Sequence, residues 1–171
     1  QVVRKAVSFL KSVQVSSPDP DENGRYGKRL HRKWIYDHSI ATMAMAELLA
    51  MTHDIIGLRK SVRAATELCL RTQNPGLGWR YGVRPGDNDT SVTGWMVLAL
   101  KTAKYADVGI PTEELDRSLE GALRFFRQAT GADGRTPGRD AGKAILLEDA
   151  SITAGPAAGS PAVGDLHAFL A

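Results

Sequence analysis

"QNPGLGWRYGVRPGDNDTSVTGW" occupies Gln73 to Trp95. A Gly-rich loop carrying tryptophan ends here in an acidic cluster, and that cluster opens an apolar segment. Two chemistries fit such a stretch. Carboxylates beside aromatics suit carbocation chemistry, whereas Trp as a packing plate and Asp as a helix cap suit architecture. Gln73 stands where a helix must stop, with Pro75, Gly76 and Gly78 as breakers just beyond. Its amide can satisfy orphan backbone groups at the helix end while Trp79 covers them. Asp89 precedes "TSVTGW" in the position of an N-cap.

Working outward, the same grammar appears earlier in the chain. "AVSFLKSVQ" (Ala6 to Gln14) aligns with "ATELCLRTQ" (Ala65 to Gln73), and Arg-Tyr-Gly follows each, at 25–27 and 80–82. "DHSIATMAMAEL" from Asp37 then parallels "DTSVTGWMVLAL" from Asp89, which predicts a second N-cap at Asp37. A weaker third unit starts at "ALRFFRQAT" (Ala122 to Thr130), with Thr at its ninth place and no tryptophan after it. The unit is helix, loop, helix, repeating every ~50–60 residues.

Helical spacing supports this unit. Val3, Ala6, Val7, Leu10 and Val13 form one stripe, and Ile40, Met43, Ala44, Leu48 and Met51 another. Val62, Ala65, Leu68 and Cys69 form a third, and Trp95 to Leu100 is apolar nearly all round, as in a helix buried on most sides. A fifth helix is predicted over 112–129, with Thr112 as cap and Glu113 and Glu114 at the positive end of its dipole. These segments make residues 1–130 an all-α unit of helical pairs. Residues 131–171, with "GPAAGSPAVGD", read as a Gly/Pro/Ala-rich tail, linker or disordered.

Composition narrows the function classes. A net charge of +3 is too mild to suggest a nucleic-acid partner, although basic residues bunch in "RYGKRLHRK" (Arg25 to Lys33). That bunch is expected to be a solvated loop, with a peripheral membrane or anion contact as the alternative. Cys69 is the single cysteine, so intrachain disulfides are excluded and the compartment stays open. No apolar run is long enough to cross a bilayer, and no signal-peptide pattern opens the chain. Because the sequence begins at Gln1, it is expected to be a piece of something longer. No Walker or dinucleotide loop is present, so no cofactor is implied.

Gln73, Gly78 and Trp79, with Ala65 and Leu68 upstream, resemble the Gln–Trp repeat of squalene–hopene and oxidosqualene cyclases. "YDHSIATMAMAELL" and "DNDTSVTGWMVLALKTA" are similar to helices of the wider prenyltransferase and squalene-oxidase repeat proteins. The likeness covers about residues 2 to 128. It implies an α/α toroid, incomplete in this chain, with concentric helices around a central cavity and Gln–Trp loops tying them. Those cyclases protonate an alkene or epoxide with the middle Asp of an Asp-x-Asp-Asp-Thr motif, which makes Asp87 and Asp89 the candidate acids. Registered on Thr90, the acid position falls on Asn88, which has no acidic proton. Shifted by one residue, Asp89 takes the place but lacks its following Asp. Aromatics make up only 6% of the chain, thin for a cavity that must stabilise cations.

A second likeness is to the protein prenyltransferase β subunit, whose zinc sits on Asp, Cys and His. His38 in "YDHS" resembles its histidine, but the Asp-x-Cys partner is missing around Cys69. A catalytic zinc site uses three protein ligands, so no metal is expected and His38 is the one candidate ligand. The tryptophans at 34, 79 and 95 are expected to pack core and loops rather than form a lipid cage. The leading expectation is a non-catalytic repeat module presenting a concave surface to an apolar, isoprenoid-like or protein ligand. The alternative is a squalene–hopene cyclase-like isomerase whose acid motif lies in further repeats. A structural scaffold comes third.

Overall fold

The computed structural model describes residues 2–29, 31, 33–54 and 57–130. Five helices follow in order: α1 (Val2–Ser12), α2 (Trp34–Thr52), α3 (Arg59–Thr72), α4 (Thr90–Tyr105) and α5 (Thr112–Ala129). Among the described residues the only β pairing is an isolated bridge between Gln14 and Tyr26. The tail expected over 131–171 lies outside the described residues.

The helices pack as a chain of neighbours. α2 lies against α3 and α4, and α4 lies against α3 and α5. Their shared core holds Ile35, Met45 and Leu49 from α2, Val62 and Leu68 from α3, and Met96 and Leu100 from α4, all fully buried. The α3 stripe of Val62, Ala65, Leu68 and Cys69 is buried as its spacing predicts. Asp54 starts this helix from outside by accepting the N–H groups of Leu58 and Arg59. Those backbone bonds, Arg59 first, hold its carboxyl below the usual range.

Three expectations need correction. α2 begins at Trp34, so Asp37 lies inside its first turn and caps nothing; Lys33 holds the N-cap position. The Asp37 carboxylate is 65% exposed and faces His31 at 3.6 Å. At α5, Pro111 is the N-cap residue and Thr112 is already helical. Pro pre-sets the extended entry, and the acidic first turn answers the dipole without a side-chain cap.

The third correction concerns which face of α2 is buried. Ile40 is 41% exposed and Ala44 is exposed, while His38, Ser39, Thr42, Met45, Ala46 and Leu49 are buried. α2 is apolar on nearly every side, so its periodicity does not choose a face. Ser39 and Thr42 can occupy the buried face because their hydrogen bonds are made within the helix. Thr42 donates to His38 O at 2.7 Å and Ser39 to Tyr36 O at 3.0 Å. α1, despite its stripe, contains no buried residue.

Candidate functional site

Two loops join the helix pairs, and each is tied by a glutamine. Gln73 Nε2 donates to Leu77 O at 2.6 Å and to Ser118 O at 2.8 Å, and Ser118 Oγ donates back to Gln73 Oε1. Gln14 Nε2 donates to Gly24 O at 3.0 Å and to Ser61 O at 2.9 Å, and Ser61 Oγ donates to Gln14 Oε1 at 2.6 Å. Each amide thus closes its own loop and staples it to a later helix, α3 for Gln14 and α5 for Gln73. Gly121 makes room for the second staple: a Cβ there would lie 2.9 Å from Gln73 Nε2 and 3.0 Å from Leu77 O.

A buried aromatic follows each glutamine. Trp79 is fully buried, its indole N–H donates to Cys69 O at 2.8 Å, and its backbone N–H donates to Thr93 Oγ1 at 3.0 Å. Tyr26 is 3% exposed, its hydroxyl pairs with Ser61 Oγ at 2.9 Å, and its backbone N–H donates to His38 Nδ1 at 3.2 Å. Burial pushes the Tyr26 phenol up to about 12. Tyr26 therefore corresponds to Trp79, and His38 to Thr93. This places Trp95 opposite Ile40, three residues away from the Met43 pairing that aligning Asp37 with Asp89 implies.

His38 and Cys69, far apart in sequence, meet in this layer. His38 Nε2 lies 3.1 Å from Ala65 O and 3.5 Å from Cys69 Sγ. With Nδ1 accepting from Tyr26, the Nε2–H tautomer donates to Ala65 O, and both ring nitrogens are engaged. Burial pulls the imidazole down to about 4 and pushes the Cys69 thiol up to about 12. The pair is thus held neutral. A nucleophilic cysteine needs the opposite, a thiolate stabilised by imidazolium. Among the described residues no three His, Cys, Asp or Glu side chains gather as a metal site.

The two candidate acids have separate surroundings. Asp89 Oδ1 accepts the Val92 N–H at 2.9 Å, with extended backbone at Asp89, so it is the N-cap of α4. Asp87 is 60% exposed and pairs with Arg80. Its backbone carbonyl accepts from Asn74 Nδ2 at 2.6 Å. Asn74, 2% exposed, also donates to Asn88 Oδ1 at 3.0 Å and accepts from Gly86 N at 2.9 Å. Sequence reasoning passed over this organiser of the acidic loop. Its signal was the Asn-Pro step immediately after the helix end.

In the basic bunch Lys28, Arg29, His31 and Lys33 are exposed, as expected of a solvated loop, but its first residue is not. Arg25 is 6% exposed, pairs with Glu22, and lies over the Trp34 ring with Arg29, whose guanidinium carbon is 4.7 Å from the ring centre. Trp34 is itself buried, whereas Trp95 is half-buried.

An apolar groove of about 340 Å³ runs between α1 and α2. Ala6, Val7 and Leu10 line one wall, and Ala44, Leu48 and Met51 the other, with Glu47 at the side. No helix among the described residues is long and apolar enough to cross a membrane. No family model, curated protein or solved structure matches the chain.

Proposed function

We propose that this chain is a repeat module of the squalene-cyclase and prenyltransferase kind, with helical pairs arranged as part of an α/α toroid. Over its described residues it acts as a non-catalytic binding surface, and its ligand is an apolar helix of a protein partner. The two glutamine staples support the repeat reading, because the same side chains make the same bonds one unit apart.

One observation carries the ligand. By the repeat alignment, Ala6 and Leu10 in the groove correspond to Ala65 and Cys69 of α3. Ala65 and Cys69 are covered by α2, through His38. In the second unit the seat is therefore filled by a helix, whereas in the first it lies open as the groove. Continuing the packing of α2 on α3 and α4 by one unit puts a helix of the same type against α1 and α2. Gln14, Gln73, Asn74 and Asp89 of the loops, meanwhile, are engaged in holding backbone.

The test is titration with a capped peptide of the α2 sequence, Trp34–Thr52, followed by hydrogen exchange. Protection of α1 and of residues 44–51, abolished by Ala6→Glu but not by Ser8→Glu, is the expected result. Ala6 and Ser8 are both exposed, so neither change should disturb the fold. Squalene binding that survives Ala6→Glu, with no response to the peptide, would overturn the helix ligand and favour the isoprenoid-handling enzyme.

A further inference from the structure

The two loops use different acceptors for the same bond. The backbone N–H of the buried aromatic goes to a hydroxyl in one loop, Thr93 Oγ1, and to an imidazole nitrogen in the other, His38 Nδ1. A hydroxyl keeps its lone pairs at any pH between neutral and mildly acid. An imidazole nitrogen that gains a proton becomes a donor and can no longer accept. Both nitrogens of His38 are engaged, one accepting from Tyr26 and one donating to Ala65 O, so a protonated ring meets the Tyr26 N–H head-on.

Beyond the Ala65 carbonyl, which favours the protonated ring, the surroundings offer the imidazolium little. His38 is fully buried. The titratable and charged groups facing it are Tyr26 and Arg25 from the loop and Cys69 and Arg71 from α3. Both arginines disfavour a second positive charge, and no carboxylate is among these groups. The rings of Tyr26 and Trp34 stand 6.0 and 6.2 Å away, tilted by 35° and 44°, at the outer limit of cation–π reach. The charge is accommodated most readily by lifting the loop and hydrating the ring.

We propose that His38 makes the first loop an acid-released latch: protonation frees the Tyr26 strand of the loop from α2 and α3, while the loop held by Thr93 stays shut. The groups uncovered are the His38 ring, the Cys69 thiol and the inner face of α3 around Ala65, all sealed at neutral pH. The device lies within the repeat itself and does not depend on what binds the groove.

The sign follows from linkage. A histidine held neutral by the closed loop binds its proton only when the loop opens. Opening therefore grows by about tenfold per pH unit below the open-state value of 6.5, until the closed-state value of about 4. Hydrogen exchange on the full chain between pH 7 and 4.5, corrected for intrinsic exchange, reads this directly. The expected result is about a tenfold loss of Tyr26 amide protection per unit below pH 6, with Trp79 unchanged. Equal losses at both amides, or none at Tyr26, would overturn the latch.

Two variants separate the cause. His38→Thr installs the second loop's acceptor and should make Tyr26 as indifferent to pH as Trp79. Glu22→Gln removes the ionisable tie on Arg25, next to Tyr26, the Glu22 pair with Arg25 and Arg29, and should leave the acid response in place. A response lost in Glu22→Gln and kept in His38→Thr would assign it to the carboxylate and end the proposal. Should His38→Thr not fold, the two amides of the parent protein and the Glu22→Gln variant still decide.

Discussion

The loop from Gln14 to Gly27 and the loop from Gln73 to Asp89 solve one problem with different residues. Each must end a helix, turn back, and bury an aromatic against the helix that follows. The glutamine is shared, and so is the serine that answers it, Ser61 or Ser118. The aromatic and its acceptor differ: Tyr26 with His38 against Trp79 with Thr93. The common parts satisfy backbone groups, which every copy of the fold must do. The parts that differ set how much apolar area the tie buries and whether it responds to acid.

The largest effect should come from the aromatic that gives the second loop its seal. Trp79→Ala leaves a cavity under α3 and α4 and strips Cys69 O of its indole donor. Loss of so large a buried side chain costs about 3–5 kcal/mol. A thermal melt should show the transition lowered sharply or lost. Tyr26→Ala should cost less, because Tyr26 already keeps its hydroxyl among polar partners. Equal melting of the two variants would break the comparison at its strongest point.

Acid should separate the loops next. His38 is neutral when buried, at about 4, and 6.5 when unfolded, so its folded value is depressed. For a cationic group this means that the unfolded state takes the proton first. Stability is full above pH 6.5 and falls as pH drops toward about 4, by about 3 kcal/mol in all. Denaturant unfolding across that window checks it, with His38→Thr giving a flatter profile than the parent. A parent profile no steeper than that of His38→Thr would remove histidine from the account.

A smaller effect belongs to the glycine that lets the second glutamine approach α5. Gly121→Ala pushes a methyl to within 3.0 Å of both the Gln73 amide and the Leu77 carbonyl. Overpacking of this kind costs about 1–3 kcal/mol. The staple would spring first, so exchange at residues 76–78 should rise before the global melt shifts. The first loop has Ala64 at the corresponding place and puts its own glycine, Gly24, against that backbone. Each loop gains its close approach from a different partner.

These particulars show what the sequence carried and what it hid. Helix positions were legible where one face is apolar and the other polar, as in α3 and α5, where Val62, Ala65, Leu68 and Cys69, or Leu115 and Ala122, fall on the buried side. α2 was legible as a helix but not in its orientation. With apolar residues on nearly every side, it hides His38, Ser39 and Thr42 and leaves Ile40 outside. The glutamines were legible as helix stops. Their partners were not, because Ser61 and Ser118 lie 47 and 45 residues away and a serine on an amphipathic helix looks solvated. His38 read as a candidate metal ligand; its bonds to Tyr26 and Ala65 depend on a packing that no local spacing encodes.

The smallest effects are the most discriminating, and they concern two aspartates that look identical in sequence. Asp89 caps α4 by accepting the Val92 N–H, so what it supplies is an oxygen acceptor and not a charge. Asp89→Asn should be nearly silent, while Asp89→Ala should cost about 1 kcal/mol. Asp37 sits inside the first turn of α2, exposed, facing His31. There the charge acts on the helix dipole, so Asn and Ala should cost the same few tenths of a kcal/mol, about 0.3 to 1 at most, and salt should erase it. Chemical denaturation of the four variants at low and high salt reads both patterns. The same set tests the proton-donor reading, since an amide can replace a cap but cannot replace an acid. Were the parent to convert a squalene-like substrate, and Asp89→Asn to lose that turnover while melting unchanged, Asp89 would be the acid of an isomerase as well as a cap. Turnover absent from the parent, with Asp89→Asn as stable as the parent and Asp89→Ala weakened, leaves Asp89 as the oxygen that starts a helix.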